Sequence, residues 1–153
     1  MQSQRAKTSV ELSRLYERDL FEWSRRAAET LRGSRPEQAD TDHLAEEIED
    51  MGIRDLRALD SRMEVLLIHL LKLRFQPEKR SRSWRDTATV QRKGVDRLLK
   101  RNPSLRRRIK MDLAGNYEFA VRRNAIQTGL PESHFPAECP FTVEQILDPE
   151  FLP

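Results

Sequence analysis

Apolar residues recur at steps of three to five from Asp42 to Gln76. Leu44, Ile48, Met51, Leu56, Leu59, Met63, Leu66, Leu70 and Leu73 make one stripe on a helix face. No proline interrupts this stretch before Pro77, and at 1.5 Å per residue it would span roughly 50 Å. Leu67 and Leu71 widen its apolar surface beyond one stripe, so a cover is expected from the first helix, the tail or a second subunit.

The same periodicity predicts a first helix over Val10–Arg32, with Leu12, Tyr16, Leu20, Trp23, Ala27 and Leu31 on one face. Gly33 and Pro36 are its expected stop, and Thr41 the expected N-cap of the long helix. Gly52, costing about 1 kcal/mol relative to alanine inside that helix, marks a kink or a close crossing. Ser83 is the expected cap of a third helix, Trp84–Asn102, and Ser104 of a fourth that runs to about Thr128 and ends at Gly129. Pro131, Pro136 and Pro140 make residues 130–153 a strap, within which Thr142 opens a short fifth helix, Val143–Leu147. Glu144 or Gln145 would close its capping box. Residues 1–9 are polar and expected to be flexible. The expected architecture is a single helical domain over 1–153. It is all-α: an antiparallel bundle of four main helices with a C-terminal proline-rich strap and a short fifth helix.

Composition narrows the function classes. Five glycines and no Val/Ile/Thr alternation count against a sheet, and no apolar run approaches the ~18 residues of a membrane span. The opening residues lack the apolar core of a signal peptide, so a cytoplasmic location without a membrane partner is the default. Cys139 is the sole cysteine, which rules out a disulfide within the chain.

Charge is unevenly spread around a net +3. Ten acids and three bases lie between Glu37 and Glu64, fifteen bases and three acids between Lys72 and Lys110, and five acids with no base from Glu132 onward. Oppositely charged helices meeting inside one fold, or in a dimer, account for this as readily as an anionic partner does.

Four segments carry a resemblance: LYERDLFEW (15–23), LAEEIEDMG (44–52), LLIHLLKLRFQPEKRSRSW (66–84) and FPAECPFTVEQILDPEFLP (135–153). Together they resemble the domain of unknown function 29 family, small bacterial proteins frequent in cyanobacteria. The resemblance spans about Leu15 to Pro153 and implies an all-α, stand-alone bacterial protein. It supplies no established catalytic residues to carry over, and no cofactor is expected. The family pattern carries tryptophan more often where Phe141 and Leu152 stand.

Three groups of residues bear on chemistry. Asp55, Arg62 and His69 follow Ile48 at seven-residue intervals, a polar helix edge suited to pairing with neighbours such as Gln91 and Asn116. Lys79, Arg80, Arg82, Arg85, Arg106, Arg107 and Arg108 could contact phosphates, although no nucleic-acid-binding signature accompanies them. Asp19, Glu46 and Glu49 are candidate metal ligands, set against a simpler reading as a solvated acidic face. Cys139 sits in a proline-rich loop without a nucleophile motif, which disfavours catalysis. The favoured reading is a non-enzymatic protein-interaction module that binds a protein partner or forms a homodimer. The alternatives are a nucleic-acid-binding regulator using the 79–108 region and a metal-dependent enzyme using the acidic residues of the long helix.

Overall fold

The computed structural model describes the backbone of residues 2–34 and 39–153 and the side chains of residues 10–33 and 41–153. These residues form α1 (Gln2–Arg18), α2 (Leu20–Ser34), α3 (Ala39–Phe75), α4 (Arg82–Arg101), α5 (Arg106–Thr128) and α6 (Val143–Leu147). Short 3-10 turns stand at Pro77–Lys79, Pro103–Leu105 and Glu132–His134. The protein is all-α, and no strand occurs among the described residues. The chain divides into two compact units, residues 1–58 with 98–106 and residues 59–97 with 107–153.

In the first unit, the helix predicted over Val10–Arg32 is broken at Asp19. The Asp19 side chain accepts the Glu22 N–H at 2.8 Å, the N-cap geometry that opens α2, while the Asp19 N–H still donates to the Leu15 carbonyl and closes α1. An aspartate that can satisfy an exposed helix start makes this break inexpensive. α1 starts before Val10, and the side chains of the segment expected to be flexible, 1–9, lie outside the described residues.

α2 packs along the first half of α3 through small residues. A Cβ on Gly52 would stand 2.3 Å from Ser24 Oγ and 3.2 Å from Phe21 Cδ2, so the glycine marks a close crossing. Ala28 and Ala45 are fully buried, and Arg32 grips Glu49 with two hydrogen bonds of 2.7 and 2.8 Å. The buried face of this half-helix carries Thr41, Ala45 and Gly52, whereas Leu44 and Met51 of the predicted stripe are exposed. Residues 40–42 lie inside α3, so Thr41 is not its cap. Gly33 is helical, and the Pro36 stop lies outside the described residues.

In the second unit, the rest of α3 is the central element. Met63, Leu66, Leu67, Leu70 and Leu71 have no exposed surface, each burial stabilising by about 1.5–3 kcal/mol. Leu67 and Leu71 are therefore covered within the chain, and this surface needs no second subunit. Ala88 and Val95 of α4, Ile109, Tyr117 and Ala120 of α5, and Phe135, Phe141 and Ile146 of the strap are buried as well. Buried Asn124 donates to the Ile68 carbonyl at 3.1 Å, tying α5 to α3.

Ser81, not Ser83, stands at the cap of α4, its hydroxyl accepting the Trp84 N–H at 3.3 Å. Ser104 lies in a 3-10 turn before α5 and its hydroxyl donates to Asp19, so it does not cap that helix. Gly129 ends α5 with φ of +73°, a conformation that glycine adopts without strain. Thr142 and Gln145 form the capping box of α6.

Candidate functional site on the exposed face of α5

The polar edge of α3 resolves into separate local partnerships. Asp55 accepts from Asn102 at 2.8 Å and lies 3.9 Å from Arg101. Arg62 donates to Gln91 at 3.1 Å and lies over Gly94, where a Cβ would meet its guanidinium at 2.3 Å. The His69 ring bonds the Val65 carbonyl of its own helix at 2.8 Å, and burial holds its pKa below the usual histidine range. Each residue has a structural partner, and the three do not join into one network.

Two of the three candidate metal ligands are engaged elsewhere. Asp19 accepts from Ser104, Glu49 is clamped by Arg32, and Glu46 is exposed. No group of three or more His, Cys, Asp or Glu side chains is placed to hold a metal ion among the described residues.

The basic candidates are heterogeneous. Lys79, Arg82, Arg85, Arg106 and Arg107 are exposed, with Arg82 lying 3.7 Å from Asp86. Arg80 donates to the Leu73 carbonyl at 3.2 Å and to an oxygen of Pro153. Arg108 pairs with Asp112 at 3.3 Å. Arg92 is buried and reaches the carbonyls of Ile146 and Phe151 at 2.8 Å, with those of Pro149 and Gln145 at 3.4 and 3.5 Å. It fastens the strap to α4. Its place in the core register between Ala88 and Val95 was the available sequence signal.

On one side of α5 a cleft of about 950 Å³ opens against the strap, lined by Leu113, Tyr117, Val121, Phe135 and Cys139 among others. The Tyr117 hydroxyl donates to the Pro136 carbonyl at 2.7 Å, and burial pushes its pKa up to about 12. Burial also pushes the Cys139 thiol up, despite its hydrogen bond to the Phe141 carbonyl. A raised thiol pKa is the opposite of what nucleophilic chemistry requires.

The outer face of α5 is different. Met111, Phe119 and Ile126 are 66%, 42% and 75% exposed, although their size would ordinarily favour burial. At 100° per residue these three fall within about 80° of one another on the helix, and Gly115 lies within that arc. A Cβ at Gly115 would meet nothing within 4 Å. Exposed Arg122 and Arg123 border the face, with Arg122 also touching Glu118. Ile109, Tyr117 and Ala120 keep the inward register of this helix. The signal for the outer face was three large apolar residues outside that register.

No helix among the described residues is long and apolar enough to cross a membrane. A search of curated proteins yields no match. The crystal structure of an alpha-helical protein of unknown function from Rhodospirillum rubrum is similar over 89% of this chain and 90% of its own, with 28% identity and a TM-score of 0.71. The profile of the family described as domain of unknown function DUF29 matches residues 15–152. With nearly the whole chain matched in sequence, the protein belongs to the DUF29 family.

Proposed function

We propose that this protein is a non-enzymatic interaction module that binds another polypeptide through the outer face of α5. The observation that carries this reading is the exposure of Met111, Phe119 and Ile126 on one side of a helix whose other side is anchored in the core. Exposed apolar surface of this kind, bordered by charged residues, marks protein interaction sites. The arginines around it supply long apolar stems as well as charge, a composition enriched at interfaces. Asp19, Glu49, Asp55 and Arg62, weighed for chemistry, are occupied in holding elements together, which supports a binding role over catalysis.

The test is a pair of surface substitutions, Phe119→Glu and Ile126→Glu, in the affinity-tagged chain. Both sites are exposed, so helicity and thermal midpoint are expected to stay within a degree or two of wild type, about ±0.5 kcal/mol. Species associated with the wild type, including untagged copies of the chain, are expected to be lost from both variants. An unchanged set of associated species would refute the reading.

A further inference from the structure

We infer that the seam between α3 and α5 is a proton-binding latch: Asp60, facing Asp112 and Asn116, takes up a proton as the surroundings turn mildly acidic, and the hold of α5 on α3 strengthens.

Two contacts fix the register of these helices. Asn124 donates to the Ile68 carbonyl at 3.1 Å across 56 positions, and Lys72 donates to Gln127 at 2.7 Å across 55. A near-constant offset means that α5 runs parallel to α3. Carried back two turns from Ile68, the same offset sets Asn116 beside Asp60, and Asp112 and Arg108 follow on the preceding turns of that α5 face. The Asn116 amide lies close enough to Asp60 to act on its carboxyl. Glu64 stands one turn further along α3, and Asp60 acts on it in turn. The seam therefore gathers three carboxylates, those of Asp60, Glu64 and Asp112, around the guanidinium of Arg108. Arg57, a turn before Asp60 on α3, is exposed, where solvent screens its charge. Among the described residues, no charged group of α4 or the strap bears on Asp60.

The seam is short of hydrogen bonds as well as crowded with charge. Asp112 Oδ2 lies 3.3 Å from Arg108 Nε, yet both atoms are buried and neither makes a well-directed hydrogen bond. Asn116 is 7% exposed, and its Nδ2 is likewise buried without a hydrogen-bond partner. Asp60 and Glu64, four residues apart on one helix, repel each other when both are charged. A proton on Asp60 removes one charge from this group and turns an acceptor into a donor.

Burial first, and the Asp112 charge second, hold the Asp60 carboxyl above the usual carboxylate range, against the pull of Asn116 and Arg108. Burial and then Asp60 do the same to Glu64. The folded chain thus binds the Asp60 proton more readily than the unfolded chain. The stability it brings is fully present below the ordinary value of 3.8 and is lost as pH rises through the higher folded value. Glu49 acts in the opposite sense, since its hydrogen bonds to Arg32 hold it low. Comparison with a variant that lacks only the Asp60 proton separates the two.

Carboxyl-carbon NMR of the full wild-type chain tests the inference. Asp60 is expected to titrate above its ordinary value, and Asp112→Asn to bring its midpoint down. Asp60→Asn is neutral at every pH. In urea denaturation, the ratio of the wild-type unfolding constant to that of Asp60→Asn is expected to fall by about threefold or more from neutral pH to about pH 4, because only wild type gains the proton. A wild-type midpoint at or below the ordinary value, a midpoint that Asp112→Asn leaves in place, or an unchanged ratio overturns the inference. If Asp60→Asn does not fold, the wild-type midpoint and its shift in Asp112→Asn decide alone.

Discussion

Asp19 accepts hydrogen bonds from both the backbone N–H and the hydroxyl of Ser104, 85 positions further along the chain. The same side chain caps α2 through the Glu22 N–H, and Asn102 accepts the neighbouring Phe21 N–H at 2.8 Å. The start of α2 is thus held by the α4–α5 corner, in a site where Asp19 is 7% exposed and Asn102 fully buried. Asp19→Ala removes a cap and leaves the two part-buried Ser104 donors without this partner, so it is expected to destabilise by roughly 2–4 kcal/mol. Urea denaturation checks this, and a loss below about 0.5 kcal/mol, the level of an ordinary surface substitution, would contradict the role given to Asp19.

The glycines of α3, α4 and α5 separate by what their missing Cβ would meet. Gly52→Ala presses on buried Ser24 and on Phe21, and is expected to destabilise by about 1–3 kcal/mol despite the better helix propensity of alanine. Gly94→Ala meets the flexible end of Arg62, which can move aside, so a smaller change is expected. Gly115→Ala meets nothing and is expected to stabilise by up to about 1 kcal/mol. Thermal midpoints of the three variants should fall in that order, Gly52→Ala lowest.

These examples show what the sequence discloses. Gly129, the Thr142–Gln145 box and the Gly52 crossing were legible because a turn, a cap or a mid-helix glycine is a local signal. The break at Asp19 was not, since its partner Ser104 comes from a distant corner and the apolar spacing runs through the break. Leu44 and Met51 misled for another reason: periodicity rewards large apolar residues, whereas the buried face there is Thr41, Ala45 and Gly52, small enough for α2 to approach. The outer face of α5 became visible only when the inward register was covered by the rest of the chain.

Arg92 gives a third prediction. Arg92→Met keeps much of the buried stem but leaves the Ile146 and Phe151 carbonyls without their donor. The strap is expected to open more readily, by about 3 kcal/mol. Limited proteolysis within residues 130–153 is then expected to run roughly a hundredfold faster, provided reclosing outpaces cleavage. Equal cleavage rates in variant and wild type would show that other contacts hold the strap.

Tyr117 gives a pH dependence whose sign is fixed. Burial raises its pKa from 10.0 to about 12, so folding favours the protonated phenol. The resulting stability is fully present below pH 10.0 and is lost as pH rises toward about 12. Tyr117→Phe loses the hydrogen bond to Pro136 and begins about 1 kcal/mol less stable. Its stability is expected to fall less steeply than that of wild type across this window. Parallel curves from chemical denaturation on either side of pH 10 would contradict the assignment.

Site-specific photo-crosslinking in the cell reports whether the outer face of α5 is a binding surface. A photoreactive residue replaces Ile126, which is 75% exposed, and in a separate chain it replaces exposed Glu78 in the turn between α3 and α4. A discrete adduct from position 126 and none from position 78 is the predicted result, its mass reporting whether the partner is a second copy. No adduct from position 126, or the same adducts from both positions, would contradict the claim.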